Sequence, residues 1–105
     1  MAASISSQAE NQVQSIPFQT YWKDIEPDIV DIRHQIHAHP ELSNREFGTA
    51  KLVAGKLKTL GYLIQTGVGK TGIVATLKGR APGNIIAIRA DMDALPVTEN
   101  TNLPF

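Results

Sequence analysis

The amino-acid sequence predicts an α/β fold in which two N-terminal helices precede and cover a small sheet. Three observations lead there. Apolar residues recur at helical spacing in two segments before Gly61, strand-like apolar runs follow it, and only short turns separate those runs.

The first periodic segment covers residues 21–38. Ile25, Ile29, Ile32 and Ile36 recur at spacings of four, three and four, which sets them on one stripe of a helix, with Asp24, Asp28, Asp31 and Arg33 mostly off it. Pro27 fits a helix best in its first turn, so the regular helix is expected to start near Glu26. Pro40 disfavours helical geometry at His39, so the helix should end near His37 or Ala38. The second helix opens on Ser43-Asn44-Arg45-Glu46, which has capping-box spacing. Phe47, Ala50, Val53, Ala54, Leu57 and Leu60 give its apolar stripe. Lys56 and Lys58 suit the negative end of the helix dipole, and Gly61 stands where a left-handed cap is needed.

Three strands are expected, over residues 62–66, 72–78 and 85–88. The last, Ile85-Ile86-Ala87-Ile88, is an unbroken apolar run that suits a strand buried on both faces. The connections are too short for parallel crossovers, so the neighbours should pair antiparallel. The helices would then cover one face of the sheet and leave the other without a cover from this chain.

Bulk composition narrows the function. Apolar residues make up 42% of 105, near the globular norm. Ten basic and ten acidic side chains cancel, so nothing points to nucleic acid or an anionic membrane as partner. Cysteine is absent, which removes disulfides, thiolate metal sites and cysteine nucleophiles from this stretch and fits a reducing compartment. No apolar run approaches the roughly 18 residues of a bilayer span. Residues 1–20 are rich in Ser, Gln, Ala and Asn and lack the features of a signal peptide. They are expected to form a flexible leader, with one incomplete domain over 21–105 and a cytoplasmic location.

Three segments could carry chemistry. Gly67-Val68-Gly69-Lys70-Thr71 resembles the end of a phosphate-binding loop, but Ile64 stands where the full pattern needs glycine, and Thr71 leads into a strand-like run instead of a helix. A glycine-rich turn between strands is the simpler reading. The segment from Arg33 to Leu42 holds His34, His37 and His39. Their spacings of three and two do not set all three on one helical face, and helix-end and turn hydrogen bonds account for them more simply. The segment IIAIRADMDALPVTE is the most informative. On a strand, Arg89, Asp91 and Asp93 would share one face at its C-terminal end, where burial demands partners, a metal or water. The alternative is an Arg89–Asp91 pair with a turn before Pro96.

Taken together, HQIHAHPELSNREFGTA, then LGY, then VGKTGIVATLKG, then PGNIIAIRADMDALPVTE resemble the start of the M20 metallopeptidases and amidohydrolases, in the branch of N-acyl-amino-acid, hippurate and auxin-conjugate hydrolases. The resemblance covers residues 29–105 and makes the chain an N-terminal fragment of such a hydrolase. It implies a mixed sheet sandwiched by helices as the first part of a catalytic domain, and a smaller inserted domain that serves as lid and dimer surface. It also implies metal-dependent cleavage of the amide bond in N-acyl or aminoacyl amino acids or peptide-like substrates by the full-length protein. Zinc or manganese would be the divalent metal there, and a homodimer the assembly. The chain alone is expected to be inactive, with no metal bound.

The resemblance carries one catalytic-neighbourhood residue. Asp91 stands where the wider family has a histidine ligand, and Asp93 where the family has the aspartate that orients one. Asp93 is therefore expected to hold a downstream histidine ligand in orientation. His37, His39 and Glu41 match a fold-defining motif and are not expected to be ligands. Two other readings compete: a non-catalytic α/β interaction module that uses the uncovered sheet face, and a small metal-binding domain built from His34, His37, His39, Asp91 and Asp93.

Overall fold

A computed structural model describes residues 17–105; the expected leader lies outside the described residues as far as residue 16. The chain forms helix α1 (Phe18–Ala38), helix α2 (Phe47–Thr59), and strands β1 (Leu63–Val68) and β2 (Gly72–Thr76). This is an α/β arrangement, with β1 and β2 paired antiparallel from Leu63↔Thr76 to Val68↔Gly72.

Helix α1 begins earlier than expected, before both Tyr21 and Glu26, and it runs through Pro27. Proline removes one N–H bond and crowds the carbonyl of Lys23. Both residues are exposed, so water can satisfy the freed carbonyl. The turns before Pro27 are held by Phe18 and Trp22, stacked one helical turn apart with ring centroids 5.9 Å from each other. The expected end at Ala38 stands, and His39 N–H closes on the Ile36 carbonyl at 3.2 Å. The isoleucine stripe does not lie on the sheet. Ile29, Ile32 and Ile36 instead line an apolar groove with Pro40, Leu95 and Val97.

Helix α2 is the element that packs on both strands. Its C-terminus is the expected left-handed cap: Gly61 has φ +85, its N–H reaches Lys58 O at 3.1 Å, and Tyr62 N–H reaches Leu57 O at 3.2 Å. Those are the two bonds of a Schellman motif. Its N-terminus corrects the sequence reading. The helix starts at Phe47, and Ser43 makes no capping bond to it. A turn from Leu42 to Arg45, with Asn44 left-handed at φ 64, carries Ser43 away from the helix end.

The phosphate-loop lookalike is the turn of the β1–β2 hairpin, with Gly69 at φ 61 and Lys70 at φ 94. Thr71 leads into a strand, so the backbone has no helix N-terminus at which to hold a phosphate.

The third expected strand is absent from the described residues. Residues 77–93 form no helix or strand, and Ile85, Ile86 and Ile88 are 97%, 86% and 93% exposed. A run apolar on both faces needs ladder partners and a layer on each side, and the hairpin with α2 supplies neither to it. The sheet is accordingly a two-stranded antiparallel pair, short of the mixed sheet that the resemblance implies. Among the described residues no apolar side chain is buried, and the buried ones are Glu46, Thr49 and Thr71. The closest packing is thus a polar joint where α2 meets the hairpin turn.

Replacing Pro27 by Ala should restore the missing helical bond. We expect a rise in far-ultraviolet helical ellipticity and a stability gain of up to about 3 kcal/mol, read from thermal unfolding.

Candidate functional site

The segments singled out in the sequence meet around the turn after Pro40. Glu41 reaches the start of α2, and its carboxylate accepts Gly48 N–H at 2.9 Å, Thr49 N–H at 2.5 Å and the Thr49 hydroxyl at 2.6 Å. Those amides are the second and third of the helix, two of its four donors without an intrahelical partner. An anion there also meets the positive end of the helix dipole. Gly48 makes room for it. A Cβ at that position would stand 3.2 Å from one carboxylate oxygen and 3.4 Å from the other. The Thr49 hydroxyl is the largest influence holding the Glu41 carboxyl below its ordinary value of 4.5; burial opposes it, and the backbone N–H groups of Gly48, Thr49 and Phe47 add to it.

Glu46 does the corresponding work toward the hairpin. Its carboxylate accepts the Thr71 hydroxyl at 2.6 Å, both residues being buried, and that bond is the main cause of its lowered pKa. The glutamate read from sequence as half of a capping box thus ties α2 to the β1–β2 turn.

The corner after Asp93 docks on the same turn. Ala94 N–H donates to the Glu41 carbonyl at 2.7 Å, and Val97 N–H bonds Leu95 O at 2.7 Å around Pro96. Glu99 forms an ion pair with His37, and it also accepts the Thr101 hydroxyl and the Thr101 N–H. The Thr101 hydroxyl is the largest cause of the lowered Glu99 pKa; the Thr101 amide and His37 add to it. The His34 ring stacks on Phe105 with centroids 3.8 Å apart and planes at 8°.

The expected residues are only partly brought together. Arg89 pairs with Asp91 through two bonds of 3.2 and 3.0 Å, both side chains largely in solvent. Residues 85–88 form no strand, and the Arg89–Asp91 pair is the one that the alternative reading expected, with Asp93 outside it. Asp93 is exposed beside the anchored Ala94. His34 and His37 both pack on Phe105, His34 face to face and His37 edge-on, and His37 also pairs with Glu99. No three His, Asp or Glu side chains converge to hold a metal among the described residues, so the residues present do not compose a coordination shell. The residue that sequence reasoning underrated is Glu41. The available signal was a small residue followed by a hydroxyl, Gly48-Thr49, on the first turn of the next helix.

Comparison with known proteins gives several relatives. Thermostable carboxypeptidase 1 of Saccharolobus solfataricus is 51% identical over 84 residues, 79% of this chain and 21% of that protein. Hippurate hydrolase of Campylobacter jejuni is 52% identical over 82 residues, 78% of this chain and 21% of that protein. The N-acyl-L-amino acid amidohydrolase of Geobacillus stearothermophilus is 43% identical over 82 residues, 78% of this chain and 22% of that protein. The chain therefore spans about a fifth of the length of these relatives. No family model and no solved structure matches it. No helix among the described residues is long and apolar enough to cross a membrane.

The Glu41 cap gives an acid-side prediction. A carboxylate whose folded pKa is depressed adds stability that is present above the ordinary value and lost as pH falls through the folded value. Hydrogen exchange at the Gly48 and Thr49 amides, corrected for intrinsic rate, should show protection that holds from neutrality to about pH 4.5 and collapses at lower pH. Glu41→Ala should lower that protection at neutral pH by about 1 kcal/mol and remove its dependence on acid.

Proposed function

We propose that the chain is part of an M20 amidohydrolase and that the full-length protein hydrolyses the amide bond of N-acyl or aminoacyl amino acids. The observation that carries this is the identity of about half over 84 residues to a carboxypeptidase, with comparable identity to a hippurate hydrolase. The names of those relatives, and of the N-acyl-L-amino acid amidohydrolase, supply the substrate class: a small acylated amino acid or peptide-like amide. The reading keeps a homodimer and a cytoplasmic location for the full-length protein.

The divalent ion that goes with this activity, zinc or manganese, belongs to the proposal for the full-length protein. His37 is engaged with Glu99 and Asp91 with Arg89, so its ligands would come from outside these residues. Within them, Asp93 is the group assigned to the chemistry. Its carboxylate would accept the ring N–H of a histidine ligand and hold that ring in one tautomer and orientation. The exposure of Asp93, next to a backbone amide fixed on the Glu41 turn, supports this assignment. The 105 residues alone are expected to be inactive.

The test is to express the full reading frame that contains these residues and to follow release of free amino acid from hippurate and from N-acetyl amino acids. Hydrolysis should occur, disappear on chelation, and return with zinc or manganese. Asp93→Asn should lower kcat about 10- to 100-fold. No hydrolysis of any of these amides would overturn the proposal.

The alternative, a non-catalytic α/β interaction module, draws on the exposed Ile85, Ile86 and Ile88. Size-exclusion chromatography and thermal unfolding of the 105-residue chain separate the two. A monomer with one sharp transition favours the module, and association to high mass favours the hydrolase segment.

A further inference from the structure

We propose that Glu41 is a positioning residue for Asp93, clamping the corner that carries Asp93 to the N-terminus of α2. The proposal rests on the hydrolase reading, in which Asp93 acts next to the reacting centre.

Glu41 is held at one end and holds at the other. Its carboxylate takes three donors from α2: Gly48 N–H, Thr49 N–H and the Thr49 hydroxyl. A 13-residue helix is a rigid base, so this fixes the Glu41 backbone relative to α2. Its carbonyl then accepts Ala94 N–H at 2.7 Å. That N–H belongs to the peptide plane that begins at the Asp93 carbonyl carbon, and the plane is stiff. Holding it fixes the Asp93 Cα, the point from which the side chain projects. The chain before Asp93 offers no comparable anchor, because residues 77–93 form no helix or strand. After it, the nearest tie is the Glu99–His37 pair, several residues on.

The pocket that receives the Glu41 side chain requires a carboxylate. All three of its partners donate, so an amide nitrogen placed there would face an N–H donor. Gly48 carries no Cβ where one would crowd both carboxylate oxygens. Glutamine therefore loses the Gly48 bond and sets an N–H against an N–H, and a methyl group at residue 48 displaces the carboxylate by a few tenths of an ångström from the side of the helix.

The experiment uses the full-length hydrolase and four variants: Glu41→Gln, Gly48→Ala, Asp93→Asn and the double variant Glu41→Gln/Asp93→Asn. Both kcat and KM are measured on an N-acyl amino acid, well below each melting temperature. Glu41→Gln is expected to lower kcat about 10-fold by misplacing Asp93, with KM within about twofold of the parent. Gly48→Ala should do the same and serves if Glu41→Gln fails to fold. Because Glu41 acts through Asp93, the double variant should be no slower than Asp93→Asn alone. Lowered melting temperatures with full kcat would make Glu41 a helix cap only and overturn the proposal, as would losses that multiply in the double variant. An Asp93→Asn protein with parental kcat would instead remove Asp93 from the chemistry, and the positioning role with it.

Discussion

The carboxylate of Glu41 on the first turn of α2 is the contact from which the rest of the arrangement is hung. A helix beginning in the interior of a fold leaves amide hydrogens that need acceptors, and a side chain from the preceding turn is the shortest source of one. Here the acceptor comes from seven and eight residues upstream. It therefore fixes more than the helix end: it ties the turn after Pro40 to α2. Glu46, at the same helix end, reaches the other way to Thr71 and brings in the hairpin. Two carboxylates and two threonine hydroxyls thus join three segments at one place, and Glu46, Thr49 and Thr71 among them are shielded from solvent.

What could be read from the sequence was local. The stop of α1 before Pro40, the glycine cap at Gly61 and the glycine-rich turn between β1 and β2 each depend on a few adjacent residues, and each is found where those residues set it. The errors have physical sources. Pro27 lies inside a helix because exposure softens its penalty. Ser43 has capping-box spacing but loses the helix end to Glu41, since a charged acceptor that meets three donors outcompetes a hydroxyl that meets one. Ile85–Ile88 has strand composition, but a strand is a relation between segments and its partners are not among the described residues. At the site, the pairings of His37 with Glu99 and of Ala94 with Glu41 join positions far apart along the chain, where periodicity carries no information.

The division of labour within this segment follows from those contacts. The apolar stripe of α1 and the side chains of Leu95 and Val97 face each other across a groove, while the polar joint at α2 sets the geometry. Apolar contact is tolerant of small displacements; hydrogen bonds to a charged acceptor are short and directional. A corner that must present one aspartate in one direction is better held by the second kind of contact, and it is the second kind that reaches Ala94.

The bare isoleucines at 85, 86 and 88 have a consequence for synthesis. The α2 cap, the Schellman turn and the hairpin close over short loops, and such loops form in microseconds or less, long before a ribosome adds the next residue. The isoleucine run that follows has nothing local to pair with. It emerges beside an already formed hairpin edge as a β-branched segment with every backbone donor and acceptor free, the kind of surface that recruits another copy or a holdase. The order of the sequence therefore builds the stable joint first and leaves its most aggregation-prone stretch waiting for the longest-range contacts.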